Sequence, residues 1–182
     1  MSATISEATI RRLTVDDVGL FRSIRLEALL REPSSFASLH EDWNNLPEEE
    51  WRRRLDQTVF VALLKGEPCG MMALRFHQPR KMRHRATLTS VYVRRAERGK
   101  GIATDLFIAV ANHAQGRGVR QLELGLNAEN SAAIRFYRRH GFETVGRVRC
   151  GFLHDGVGSD EVLMSIALES EPGIVDELES LF

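Results

Sequence analysis

The chain is 182 residues long, 43% hydrophobic and 27% charged, which suits one globular domain with a sizeable core. Lys plus Arg (25) balance Asp plus Glu (25), so no overall field draws the protein toward nucleic acid or a membrane surface. No run is apolar and long enough to span a bilayer, and Met1–Ile10 does not read as a basic-then-apolar leader, so a cytoplasmic protein is expected.

In chain order, Ile10–Leu13 reads as a short strand. Thr14, with Asp17 three residues on, caps a helix over Val15–Arg31 that Pro33 stops, with Leu20, Ile24 and Leu26–Leu30 as its buried face. A second helix starts at Pro47, where the missing N–H costs nothing, and runs to about Leu55 with Glu48–Glu50 complementing its dipole. Val59–Leu64 and Gly70–Phe76 are strands of a hairpin, and Thr87–Val93 is the fourth strand. Helical spacing of Ile102, Leu106, Ala109, Val110 and His113 gives core contacts over Ile102–Gln115, ended by Gly116 and Gly118. Leu122, Leu124 and Leu126 alternate as a fifth strand, and a helix over Ser131–His140 follows with Gly141 as its left-handed stop. Phe142–Arg149 and Glu161–Leu168 close the pattern around a Gly/Asp-rich turn at Asp155–Ser159. The expected organisation is a single domain over residues 1–168 and an acidic tail over 169–182, read as a solvated helix or docking segment.

The run Arg98-Gly99-Lys100-Gly101-Ile102-Ala103 joins the fourth strand to a helix. A helix's first turn leaves its N–H groups unpartnered at the positive end of the dipole, and glycines let the backbone approach a phosphate. Basic residues are unfavourable at a helix start unless an anion is bound, so Arg98 and Lys100 point the same way. Lys100 is followed by Gly101 rather than Ser or Thr, which excludes a Walker A loop; only two glycines are present, which excludes a dinucleotide fingerprint.

A second motif lies downstream, where Leu122–Gly141 reads strand, polar turn, helix and terminating glycine. Together the two resemble the GNAT superfamily of acetyl-CoA-dependent N-acetyltransferases. The Arg/Gln-x-x-Gly-x-Gly/Ala pyrophosphate loop is met by Arg98, Gly101 and Ala103. The Asn-x-x-Ala-x-x-x-Tyr-x-x-x-Gly-Phe segment is met by Asn130, Ala133, Tyr137, Gly141 and Phe142. The match covers roughly residues 86 to 146 well and the remainder by layout.

The resemblance implies a mixed α/β fold: a largely antiparallel central sheet, parallel fourth and fifth strands that splay apart, and helices on both faces. Acetyl-CoA is the implied co-substrate, with no metal. The pantetheine arm would enter the splay and pair with backbone groups of Val91, Tyr92 and Val93. Amides of Arg98, Gly99, Lys100, Gly101, Ile102 and Ala103 would hold the pyrophosphate, and Asn130, Ala133 and Tyr137 would complete the cofactor site. An amine attacks the thioester directly in a ternary complex, and Tyr137, protonated at neutral pH, is the implied general acid for the departing sulfur. Relatives often carry a Glu on the fourth strand as base, but this strand reads Thr87-Leu88-Thr89-Ser90-Val91-Tyr92. Candidates for the base are Glu123, His154, Asp160, Glu161, or water relayed through Thr89 or Ser90.

The basic clusters Arg80–Arg85, Arg94-Arg95 and Arg135/Arg138/Arg139 lack interleaved aromatics, so a solvated face is expected rather than nucleic-acid binding, with some of the charge near the coenzyme A phosphates. His40, His77, His84, His113, His140 and His154 show no metal-ligand spacing, and Cys69 and Cys150 are expected to be free thiols. In the resembled family the acceptor lies between the first helices and the last hairpin, here Phe21–Trp51 and Arg147–Asp160. Phe36, Trp43, Phe152, Glu41, Asp42 and Asp160 are candidate pocket residues there, Phe36 and Trp43 serving equally as core cover. The expected partner is a small-molecule or peptide amine, with a homodimer left open. The alternative, suggested by the missing strand carboxylate, is a non-catalytic acyl-CoA-binding sensor.

Overall fold

A computed structural model describes residues 7–55 and 57–168; the acidic tail lies outside the described residues. The elements are β1 (Thr9–Arg12), α1 (Val18–Arg31), α2 (His40–Asn44), α3 (Glu48–Arg54), β2 (Thr58–Leu64), β3 (Glu67–Phe76) and β4 (Arg85–Val93), followed by α4 (Ile102–Gln115), β5 (Gln121–Asn127), α5 (Ser131–Arg139), β6 (Glu143–His154) and β7 (Val157–Ala167). The strands form one sheet in the order β1-β2-β3-β4-β5-β7-β6. Every neighbouring pair is antiparallel except β4 and β5, which run parallel.

Alternation along the strands sends apolar side chains to two separate cores. On one face Leu106 and Val110 of α4 and Tyr137 of α5 pack against Leu122, Leu124 and Met164 of the sheet. On the other, Phe21, Ile24 and Ala28 of α1, with Trp51 of α3, cover Val59, Val61, Met71, Ala73 and Tyr92. That second core draws on β2, β3 and β4 but on no residue of β5, β6 or β7. The face of β5 and β7 turned toward the α1 side therefore lacks a helical cover from this core.

Four local outcomes differ from what the sequence leads one to expect. The first turn expected of the long helix, Val15–Asp17, is a tighter 3₁₀ turn, because the Asp17 carboxylate is drawn back to Thr14 N (2.8 Å) and to Arg11 (2.7 Å). The buried face of α1 is Val18, Phe21, Ile24, Arg25, Ala28 and Leu29, while Leu30 is 62% exposed. Arg25 takes that face because its guanidinium stacks 5.0 Å from the Phe36 ring and 4.4 Å from the Trp43 ring. Burial without a carboxylate, helped by nearby Arg54, pulls this guanidinium down to about 10. Finally, β6 and β7 reach the tip of their hairpin, and the short α2 occupies a stretch to which the sequence reading assigned no element.

Candidate active site

The parallel pairing of β4 with β5 is short, running only from Arg85↔Gln121 to Thr87↔Glu123. Beyond it the strands part. The cause lies in β4, where Met71 faces Tyr92 but Ala73 faces Thr89, so β4 carries one extra residue against β3. Ser90 absorbs that bulge with a positive φ of 53°. Past the bulge, Arg94 N donates to Cys69 O at 2.8 Å, so Tyr92, two residues earlier, also turns its main chain to β3. Val93, and by the same alternation Val91, turn theirs into the gap. The Val93 carbonyl accepts from Arg98 Nε at 2.9 Å, and a carbonyl oxygen can accept a second bond.

At the end of β4 the chain turns into α4 through Gly99 (φ 79°) and Gly101 (φ 86°), the latter being the N-cap. The first helical hydrogen bond is Asp105 N to Gly101 O at 3.0 Å. Among the described residues, no main-chain carbonyl accepts from the amides between Gly99 and Thr104. A row of free N–H groups at a helix start, next to a sheet gap, fits a pyrophosphate. The side chains beside it are engaged elsewhere: Arg98 reaches Glu32 at 2.6 Å and Lys100 reaches Glu97 at 2.8 Å.

Tyr137 lies on α5, with its ring 5.3 Å from both Phe136 and Phe142 and only 5% of the residue exposed. Burial pushes the phenol well above its ordinary value, so it keeps its proton across the physiological range. Asn130 is the N-cap of α5 and its Oδ1 accepts from Ala133 N at 3.1 Å, which explains the Asn-x-x-Ala spacing as a local cap.

On the α1 side of β4, Glu27 accepts from the Tyr92 hydroxyl (3.0 Å) and from both Arg94 Nε (2.8 Å) and its terminal nitrogen (2.7 Å). Arg94 chiefly holds the Glu27 carboxyl below its ordinary value, whereas burial and then Glu27 push the Tyr92 phenol up to about 12. Glu27, Arg31, Glu32, Tyr92, Arg94 and Arg95 line a cavity of about 640 Å³. Arg94 is thus committed to Glu27 rather than free as part of a basic cluster.

A smaller cavity, about 140 Å³, opens on the uncovered face of the sheet between the α1–α2 connection and the last hairpin. Phe36 and Phe152 line it together with Asn127 and Gly151, whereas Trp43 packs inward, 5.2 Å from Trp51. Asn127 ties the walls together: its Nδ2 donates to Ser159 Oγ (3.0 Å) and Ser34 O (3.4 Å), and its Oδ1 accepts from Glu129 N (2.9 Å). Asn127 was not singled out from the sequence; its signal is the polar alternation Glu123, Gly125, Asn127 on the face opposite Leu122, Leu124 and Leu126.

The four candidate bases divide by their partners. Burial opposes the charge on Glu123, but Arg85 and His77 outweigh it and hold the carboxyl below its ordinary value. His77 Nε2 stands 2.8 Å from its Oε1, Arg85 bonds its Oε2, and Thr87 Oγ1 is 3.3 Å away. Asp160 accepts from Cys150 N (3.0 Å) and Arg147 (2.7 Å), which together lower it. His154 sits 3.7 Å from Asp155 at the exposed hairpin tip. Glu161 carries no such partner among the described residues. Thr89 Oγ1 is buried with no hydrogen-bond partner among them.

Comparison with known proteins places this geometry. Residues 24–142 match the acetyltransferase (GNAT) family model. An uncharacterized N-acetyltransferase of Methanocaldococcus jannaschii is 30% identical over 141 residues, covering 76% of this chain but only 62% of that relative's own length. The L-methionine sulfoximine/L-methionine sulfone acetyltransferase of Pseudomonas aeruginosa is 30% identical over 115 residues, 58% of this chain and 67% of that enzyme. A Salmonella typhimurium protein described as a putative acetyltransferase, solved with its cofactor acetyl-CoA, superimposes with a TM-score of 0.76 at 19% identity, over 92% of this chain and 98% of that one. With the family model spanning more than half of its length, and with the bulged β4, the parted β4–β5 pair and the open turn into α4 in place, this chain belongs to the GNAT family of acetyltransferases.

Proposed function

We propose that the protein moves the acetyl group of acetyl-CoA to a primary amine by direct attack in a ternary complex. The observation that carries this reading is the row of unpartnered amides from Gly99 to Thr104 opening beside the gap between β4 and β5. In that gap the main chains of Val91 and Val93 pair with the pantetheine amides as a further strand would, and Tyr92 anchors their strand by its own pairing to β3. Amides of Gly99, Lys100, Gly101, Ile102 and Ala103 receive the pyrophosphate; the Arg98 amide, expected from the sequence to join them, instead donates to Arg95 O at 3.3 Å. Asn130 and Ala133 set the start of α5 against the arm, the Asn130 amide nitrogen facing it while Oδ1 caps the helix.

Acetyl-CoA supplies an activated thioester; the chain supplies position and protons. The amine nitrogen forms the new C–N bond, the C–S bond breaks, and Tyr137 gives its proton to the departing sulfur. Burial keeps the phenol in its protonated form, and its place in the family's motif is what supports the role. A small-molecule acceptor is supported by the Pseudomonas aeruginosa relative, whose name gives two amino-acid derivatives as its substrates. Calorimetric titration with acetyl-CoA, followed by thiol release against a panel of primary amines, tests the reading: binding with amine-dependent release supports it. Binding with no release for any amine turns the balance to an acyl-CoA sensor.

A further inference from the structure

Glu161 is built into the sheet in a way its acidic neighbours are not. Its backbone pairs with Asn127 of β5 and Val148 of β6, and its side chain lies flat over the adjoining strands. A Cβ on Gly125 would stand 2.0 Å from its Oε1, and a Cβ on Gly151 would stand 2.5 Å from its Cβ and 3.3 Å from its Oε2. Neither glycine has a positive φ, so backbone conformation does not call for glycine at either place; the carboxylate does. Glycine inside a strand weakens it. Two neighbouring strands accept that cost around one acid, and that acid's side chain has no hydrogen bond or ion pair with any described residue.

Its position gives the carboxylate a task. Glu123 is the last residue of β5 paired with β4, and Gly125 is the next β5 residue on the same face. Oε1 of Glu161, over Gly125, therefore stands on the β5 lip of the gap, on the face that α1 leaves open. The β4 strand opposite carries the buried, unpartnered Thr89 hydroxyl, and Gly151, beneath Glu161, lines the cavity of about 140 Å³.

We propose that Glu161 is the catalytic residue that receives the acceptor amine: its carboxylate takes the hydrogen bond of an incoming aliphatic ammonium and then its proton. The ammonium N–H bond breaks and its electron pair stays on nitrogen, which then forms the C–N bond. The C–S bond breaks, the sulfur takes the Tyr137 proton, and the remaining excess proton on the nitrogen of the adduct passes to the Tyr137 oxygen, restoring the phenol. The acceptor class is a primary aliphatic amine, positively charged at neutral pH. This assignment rests on the acetyl-transfer reading above.

Glu161→Gln keeps the shape between the two glycines and removes the proton acceptor. Thiol release is measured with an aliphatic primary amine that the wild type accepts and with hydroxylamine, which is uncharged at neutral pH and needs no deprotonation. The expected result is a fall of about 10²-fold or more in kcat/KM for the ammonium acceptor, a change of only a few-fold for hydroxylamine, and unchanged acetyl-CoA affinity. Gly125→Ala, whose methyl group displaces the carboxylate without removing it, is expected to give the same selective loss and serves if the first variant does not fold. Equal losses with both acceptors, or none, overturn the role of Glu161 and leave acetyl transfer standing. A wild type that releases thiol with neither acceptor overturns the acetyl-transfer reading and this assignment with it.

Discussion

The two lips of the gap between β4 and β5 are made in different ways. The β4 lip is continuous chain: bulge, strand end, Gly99, Gly101 and the first turn of α4 follow one another, and the groups it offers are main-chain amides. The β5 lip is assembled from afar. Asn127 meets Ser34 across 93 positions, and Glu161 lies over Gly125. A site made of backbone needs only that the chain hold its conformation and that no side chain intrude. A site made of side chains needs packing partners from several elements, and it can change its ligand without changing its fold. On the proposed function the β4 lip holds the phosphates and the β5 lip selects the acceptor, so substitutions on either side should fail differently.

The largest effect is expected on the β4 lip. Gly101 has a φ of 86° and is the N-cap of α4, so Gly101→Glu adds backbone strain, bulk and negative charge where an anion is to bind. Loss of measurable acetyl-CoA binding in calorimetry, with the circular dichroism of the folded protein retained, is the expected result; unchanged affinity removes the phosphate site. Next comes Tyr137→Phe, which keeps the ring contacts with Phe136 and Phe142 and removes only the hydroxyl. Acetyl-CoA affinity should survive while kcat falls by about 10²-fold or more. Affinity falling as far as the rate would make Tyr137 a binding residue instead.

How much of this was legible in the sequence follows the same division. The strand before the glycine turn, the helix over Ile102–Gln115 and the Asn130-to-Gly141 helix stand where pattern and caps put them, because each is specified by neighbours a few residues away. Where tertiary contacts decide, pattern misled: Leu30 is exposed and Arg25 buried, since two aromatic rings from the following segment make a better place for a guanidinium than apolarity predicts. The base candidates could be named but not ranked, as their ranking depends on which acids find an arginine across the sheet. Gly125 carried an unread signal, a glycine in the middle of an alternating strand.

Asn127 tests the acceptor half without touching the phosphate turn. Asn127→Ala removes the bonds to Ser34 and Ser159 that join the α1–α2 connection, β5 and β7 around the smaller cavity. A hydrogen bond of this kind contributes about 1 kcal/mol, so acceptor KM should rise about 5-fold while acetyl-CoA affinity stays at the wild-type value. Steady-state kinetics with each substrate varied in turn reads the split. A matching loss of acetyl-CoA affinity would erase the boundary between the two halves.

The smallest effect is expected beneath the β4 lip, where Glu27 fastens Tyr92 and Arg94 to α1. Arg94 chiefly keeps the Glu27 carboxyl below its ordinary value in the folded protein. A group depressed on folding stabilises the native state above its unfolded value, and that contribution fades as pH falls through the folded one. Glu27→Gln should therefore cost about 1 kcal/mol near neutral pH, since Gln can still accept from Arg94 but no longer as a charge. The gap to wild type in urea unfolding should close as pH falls below about 4, the unfolded carboxyl range, where protonated Glu27 and Gln become alike. Acetyl-CoA affinity should change little, because the amides of the turn are set by Gly99 and Gly101 rather than by α1. A gap that persists at low pH would show that Glu27 holds β4 by shape and not by charge.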